Sequence, residues 1–224
     1  MSKQERATRT RNALILSAAE LFERYGYVRA SLDEISSGAG VSRGALHFHF
    51  ENKAAVADAV EQAAAQALRV TADGVPPGRV SAVQSLMDLS HRMVRLLHGD
   101  VVVRAGFRLN CDTGPRTPLD LRQEWQACVH RLVDRAADER ALAAGVSPEG
   151  LVATVVATTV GLEVLSRANR GWLSSSSLTS FWQLLLPSVA SPPTLAALQP
   201  GGTDSPALAR TDPGRQHPHE TPTR

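Results

Sequence analysis

Cysteine is almost missing from this chain. Two in 224 residues, Cys111 and Cys128, are too few for a disulfide framework and lack the spacing of a zinc site. No basic start followed by an apolar run stands at the N-terminus, so no secretory signal is expected. Long hydrophobic runs are lacking too. The most apolar stretch, LVATVVATTVGLEVL at 151–165, contains three threonines and a glutamate and falls short of the roughly 20 residues needed to span a bilayer. A net charge of +2 is too small to diagnose a nucleic-acid binder, so any such argument must rest on where the charges lie. Nucleophile elbow, phosphate loop, metal motif and paired carboxylates in a clear cleft are all absent, which speaks against an enzyme; no cofactor or metal is expected. No segment shows strand alternation bounded by turn signals, and no internal repeat suggests a solenoid. These absences describe a soluble, all-α protein of a reducing, cytoplasmic compartment, with no membrane partner.

Helical periodicity is what the chain does have. Hydrophobic residues make up 43%, enough for a real core at this length. In RNALILSAAELFERYG, Leu14, Ala18, Leu21, Phe22 and Tyr25 fall on one helical face, and Gly26 ends the helix. Ser31 and Glu34 have capping-box spacing ahead of a short helix broken by Gly38 and Gly40. Ser42 caps a second short helix reaching about His49, and Asn52 opens a long one from Lys53 to near Ala72. DGVPPGR at 73–79 is a turn-rich break. Further helices are expected near 80–97, 101–109, 118–143, 148–169 and 176–188, with Pro118 and Pro148 in first turns. From Ser191 on, seven of the 13 prolines lie amid Gly, Ser, Thr and Asp, the composition of a disordered tail.

Two short helices joined by a glycine-containing turn, after a longer amphipathic helix, make a helix-turn-helix pattern. Leu32, Ile35, Ala39, Val41, Leu46 and Phe50 supply its apolar positions. Small residues Gly44 and Ala45 would let the second short helix approach DNA closely, with Ser42 and Arg43 reaching phosphates or base edges. His47, Phe48, His49 and Lys53 follow, able to contact backbone or thymine methyls. A basic arm precedes the motif, with Lys3, Arg6, Arg9 and Arg11 against Glu5 alone. Such a run is either a solvated face or an arm that tracks phosphates. His47 and His49, two residues apart, point to different sides of a helix and cannot easily share a metal.

The stretch ILSAAELFERYGYVRASLDEISSGAGVSRGALHFHFENKAAV resembles the DNA-binding domain of the TetR family of one-component repressors. The resemblance implies that the recognition helix lies in the major groove, through Ser42, Arg43, Gly44, Ala45, His47, Phe48, His49 and Lys53. His47 stands where the family most often has tyrosine. Further motifs, KQERATRTR, HFHF, DVVVRAGFRL at 100–109, EW at 124–125 and TTVGLEVLSR, resemble the γ-butyrolactone receptor branch over roughly residues 3–190. That implies a helix-turn-helix DNA-binding domain over 1–66 and a helical ligand-binding and dimerisation domain over 67–190, beyond which composition adds a disordered tail over 191–224. It implies a homodimer on pseudo-palindromic, double-stranded operator DNA, released by a small-molecule effector of γ-butyrolactone type, with control of secondary metabolism. Trp125 matches the branch's pocket tryptophan and Thr158 a lactone-bonding hydroxyl, with Phe107 and Leu121 as lining residues. Core packing is the competing reading for Trp125, Phe107 and Leu121, and for Thr158 a hydroxyl bonded to the backbone of its own apolar helix. Ala64 stands where receptors often present a glutamine, which leaves open a pseudo-receptor answering to an antibiotic or biosynthetic intermediate. A ligand-blind DNA-binding protein and a redox sensor using Cys128 or Cys111 are the remaining alternatives. Small residues Ala153, Ala157 and Gly161 would permit close helix approach at a dimer face, the other reading being burial within one subunit.

Overall fold

The computed structural model describes residues 2–74, 80–112 and 119–203. Its helices are α1 (Lys3–Arg29), α2 (Leu32–Gly38), α3 (Arg43–His49), α4 (Lys53–Asp73), α5 (Ala82–Gly99), α6 (Val101–Asp112), α7 (Leu121–Asp138), α8 (Pro148–Ser166), α9 (Ser175–Val189) and the short α10 (Pro192–Leu195). A 3-10 turn, Arg170–Leu173, joins α8 to α9. Among the described residues the extended pairing is confined to one isolated antiparallel bridge, Leu142 with Ala190.

The N-terminal basic segment is helix rather than a free arm. Ser2 accepts from the Glu5 amide (3.1 Å) while the Glu5 carboxylate accepts from Ser2 N–H (2.7 Å), a capping box that starts α1 at Lys3. Gly26, at φ +77°, kinks α1. Tyr25, assigned from periodicity to the buried face, is therefore 43% exposed, and Tyr27 beyond the kink meets Phe22 instead (ring centroids 5.9 Å). The capping box at Ser31 and Glu34 forms as expected. After α2 the chain turns through Gly40 at φ +67°, where Gly40 N–H bonds to the Ser37 carbonyl and Val41 N–H to that of Ser36. This is a Schellman ending, and its left-handed residue favours glycine.

Two apolar cores result. Leu14, Ala18, Phe22, Ile35, Leu46 and Phe50 centre the first, over α1 to α3. Leu68, Leu86, Phe107, Trp125, Val155 and Trp182 belong to the second. Both cores draw on α4 and α6. On α4, Val56, Ala57 and Val60 face the first core and Ala64, Ala65 and Leu68 the second. On α6, Ala105 and Leu109 serve the first, Val103 and Phe107 the second. The shared pair α4–α6 joins the two units mechanically.

The seventh helix is shorter than periodicity suggested. It ends at Asp138; Arg140 takes a left-handed conformation (φ +54°), and residues 141–143 pair with the chain after α9. Pro118, expected in its first turn, lies outside the described residues, and Asp120 caps the helix. α8 has the length and apolar composition of a membrane span at 19 residues. Its Leu151, Val152, Val155 and Leu162 are nevertheless buried in the second core.

Disorder from residue 191 does not hold for 191–203. This segment folds back on a polar stripe of α5 one and two turns apart, Gln84, Asp88 and His91, all buried. The Gln84 carbonyl oxygen accepts from Gln199 N–H (2.8 Å), Asp88 accepts from the amide (2.8 Å) and hydroxyl (2.6 Å) of Thr203, and His91 Nε2 meets the Pro200 carbonyl (2.9 Å). Prolines amid Gly, Ser and Thr suggested disorder; hydrogen bonds to buried side chains, and Leu195 and Leu198 packed against the second core, hold the segment instead. The remainder of the tail lies outside the described residues. Burial holds the His91 pKa below its ordinary value, with Arg95 pushing the same way and Pro200 and Asp88 opposing. A depressed histidine pKa means that the unfolded chain binds the proton more readily, so stability is complete above the unfolded pKa of about 6.5 and falls as pH drops through the folded one. Lowering the pH from neutral to mildly acidic is expected to reduce Tm more in the parent than in His91→Gln, read by thermal melts.

Candidate functional site

The second short helix stands out from the first core as an exposed ridge. Ser42 Oγ accepts from Ala45 N–H (3.1 Å), fixing the start of α3, and Leu46 and Phe50 anchor its inner face. Arg43, Gly44 and His47 are exposed, and Phe48 is 79% exposed. Its ring makes an edge contact with His49 (5.2 Å), which is half-buried. Beside Gly44 the nearest side-chain atom lies 3.9 Å from where a Cβ would be, leaving room for close approach. Arg43 is held by an exposed ion pair to Asp33 on α2 (3.1 Å), an interaction weak enough to be exchanged for a phosphate or base edge. Arg9 is exposed on α1, and the Arg11 guanidinium lies over the Phe50 ring (5.2 Å to its centroid). The basic turns of α1 thus lie alongside the end of α3.

Lys53 plays a different part from its neighbours. Its ammonium donates to the carbonyls of Tyr27 (3.0 Å), Val28 (3.2 Å) and Ala30 (3.0 Å) and lies 4.6 Å from the centre of the Tyr27 ring. It ties the C-terminus of α1 to the start of α4, with its charge placed at the negative end of the helix.

In the second unit Trp125, Phe107 and Leu121 come together, all fully buried in one core. Thr158 does not join them. It is half-exposed on the outer stripe of α8 with Thr154 and Leu165. The hydroxyl that meets the tryptophan belongs to Thr159, which accepts from indole Nε1 at 2.7 Å and donates back to the Val155 carbonyl (2.9 Å). Adjacent threonines cannot be ranked from sequence, because a shift of one residue rotates a helical position by about 100°. Ala64 is buried at a close crossing of α4 and α6, where a Cβ on Gly106 would fall 2.5 Å from the Ala64 Cβ. Gln62 and Gln66 on either side are exposed.

Sequence reading missed the junction between the units. Glu23 on α1 receives Arg104 of α6 (2.5 Å) and Arg170 of the 3-10 turn (2.8 Å). Arg104 also donates to the carbonyls of Leu97 and His98, both at 2.9 Å, closing the end of α5. Glu61 and Asn110 form a second tie (2.8 Å), with Asn110 accepting from Leu121 N–H (2.8 Å). A buried glutamate on α4 was the available signal, but its partner 49 residues away was not legible.

Residues 14–60 match the family model of bacterial regulatory proteins, tetR family. Over 222 residues the chain is 30% identical to the A-factor receptor protein of Streptomyces griseus, covering 96% of this chain and 77% of that protein. A gamma-butyrolactone receptor crystal structure, described as ArpA-like, aligns with a TM-score of 0.75 at 30% identity, over 85% of this chain and 93% of the other. CprB from Streptomyces coelicolor, solved with its biological operator sequence, aligns with a TM-score of 0.73 at 30% identity, over 85% and 93% of the two chains. These relatives are regulators, not enzymes. With the exposed helix α3 and both units aligned, the chain belongs to the tetR family of DNA-binding transcriptional regulators, in the branch of the γ-butyrolactone receptors.

Proposed function

We propose that the protein is a ligand-responsive repressor of secondary metabolism, which grips a pseudo-palindromic operator as a homodimer and lets go when a small γ-butyrolactone-type signal enters its second unit. The observation that carries this reading is the exposed face of α3, Arg43, Gly44, His47 and Phe48, held rigidly by a packed three-helix core. A two-fold dimer is supported by apolar residues left open on α8, the 3-10 turn and α9: Val164, Leu165 and Trp172 are 45%, 46% and 45% exposed, and Leu184 is 82% exposed. Around Gly161 a Cβ would meet nothing within 4 Å, room for a second helix. Trp125, Phe107, Leu121 and the Thr159 hydroxyl are the candidate effector contacts; Thr158, on the outer stripe, suits the dimer face better. The ligand shifts operator affinity only through its differential affinity for the two arrangements of the shared α4–α6 pair.

A second reading, a pseudo-receptor for an antibiotic or biosynthetic intermediate, is favoured by one feature. Ala64 is fully buried beside Gly106 and offers no amide where receptors often present a glutamine. DNA from upstream of the protein's own gene, titrated at fixed salt with and without lactones and pathway antibiotics, separates the two. Release by a lactone at low concentration supports the first; release only by an antibiotic supports the second; tight binding released by neither leaves a ligand-blind DNA-binding protein. Phe48→Ala is expected to weaken operator binding by roughly tenfold, the scale of one lost base contact, while Tm stays unchanged because the ring contributes little to the core. Gel-shift titration and thermal melts check both halves.

A further inference from the structure

Every residue of α5 from 82 to 91 is buried, its polar stripe included. What covers that stripe is the chain after α10, a strap over residues 196–203. Ser191 N–H, bonded to the Ala141 carbonyl (2.9 Å), fixes its root. The strap carries no ionisable side chain, and Leu198 is its one large apolar residue, so its hold on α5 is mostly polar. Asp88 Oδ1 accepts from Thr203 N–H (2.8 Å) and from the Gln84 amide (2.9 Å), and Oδ2 from the Thr203 hydroxyl (2.6 Å). His91 Nε2 faces the Pro200 carbonyl (2.9 Å), which can only accept, so that nitrogen carries the ring proton. Nδ1 is buried and has no hydrogen-bond partner among the described residues. Gly202 roofs the ring, for a Cβ there would fall 3.1 Å from His91 Cδ2.

A neutral imidazole tolerates this setting; a second proton on Nδ1 makes a buried, charged donor with nothing to accept it. Asp88 favours that charge and Arg95 opposes it, both from α5 itself. Arg135 and Glu139 of α7 meet α5 at Ser85 and Ala82, and Arg104 of α6 meets it at Leu97 and His98, each well over a turn away. Arg69 of α4 is turned to Glu124, Arg170 of the 3-10 turn to Glu23, and Glu163 of α8 to Arg167, while α9 has no ionisable residue. Asp88 is thus the carboxylate placed to compensate an imidazolium, and it is also the group that holds Thr203.

We propose that residues 196–203 are a proton-released strap: when His91 takes a second proton, the strap unlatches from α5. Compensating His91 and gripping Thr203 are alternative uses of one carboxylate, and water reaches the ring once the strap is off. Burial keeps the His91 pKa below its ordinary value while the strap is closed, so the open form binds the proton more readily. The strap is therefore fully latched above about pH 6.5 and is lost as the pH falls below it. This holds whatever effector or operator the protein takes.

The test is hydrogen exchange of the full chain, read by mass spectrometry between about pH 7.5 and about pH 5.5, with each rate divided by that of the unfolded chain at the same pH. Protection over 196–203 is expected to fall by roughly tenfold across this range while α2 and α3 keep theirs. In His91→Gln, which retains a donor for the Pro200 carbonyl but takes no proton, protection is expected to stay level with pH. The His91 ring, identified by NMR as the signal missing from the variant, should titrate with the same midpoint as the loss of strap protection. Protection unchanged by pH in the parent overturns the proposal, as does an equal fall in His91→Gln or an equal fall over α2 and α3. If the glutamine variant is already unlatched at neutral pH, the parent's two midpoints decide: coincidence supports the proposal and separation overturns it.

Discussion

Gly106→Val unfolds at a markedly lower temperature than the parent: an expected loss of about 3 kcal/mol, the upper range for overpacking a tight core, corresponds to roughly 6–12 °C in Tm for a chain of this size. The reason is geometric. A Cβ at 106 falls 2.5 Å from the Cβ of Ala64 and 3.2 Å from Cδ1 of Leu121. The leucine tip can rotate away, but the alanine Cβ is bonded directly to the backbone of α4, so relief requires the helices to part. Ordinarily a side chain in place of a helical glycine gains up to ~1 kcal/mol from propensity; here the clash outweighs that gain. Adding Ala64→Gly to the valine variant should recover part of the loss, because it removes the opposing atom, and a double-mutant cycle by chemical denaturation measures the coupling. An unchanged Tm in the single variant would mean that α4 and α6 separate at no cost. In that event the pair could not transmit an effector signal as a stiff unit.

Lys53→Met should cost roughly 2–3 kcal/mol, the range for hydrogen bonds made by a charged group. The ammonium serves three carbonyls at the end of α1, at 3.0, 3.2 and 3.0 Å, and methionine keeps the apolar stem while removing every donor. If instead the lysine acted chiefly as a phosphate contact, stability would hold and the slope of log affinity against log salt would shrink by about one. The two readouts separate the roles: a fall in Tm with a nearly unchanged salt slope is the expected result. Arg43 supplies the contrast. Its ion pair with Asp33 is exposed on both sides, so its removal should leave the melting temperature alone.

Local signals in the sequence were reliable wherever the physics was local. Capping at Ser31, Ser42 and Asn52 starts α2, α3 and α4 where side-chain oxygens stand three residues ahead of the amides they accept from. Gly40 ends α2 because its left-handed backbone costs glycine nothing. Tyr25 failed the same treatment, since periodicity assumes an unbroken helix and Gly26 kinks it. For the candidate site, the α3 face was legible almost residue by residue, as exposure there follows from which residues must pack. The role of Lys53, by contrast, depends on carbonyls 23 to 26 residues earlier in the chain, which no local pattern reports.

What the sequence determined by itself is the all-α character, the helix-turn-helix and the identity of the residues on its outer face, because caps, turns and amphipathic spacing act within a few residues. Tertiary structure alone decided that Thr159 and not Thr158 meets Trp125, that Ala64 seats against Gly106, that residues 199–203 clasp α5, and that Glu23 bridges to Arg104 and Arg170. Each of these joins segments that are far apart in the chain. Helical phase and the distance between packed axes set such contacts, and both are fixed only when the whole core closes.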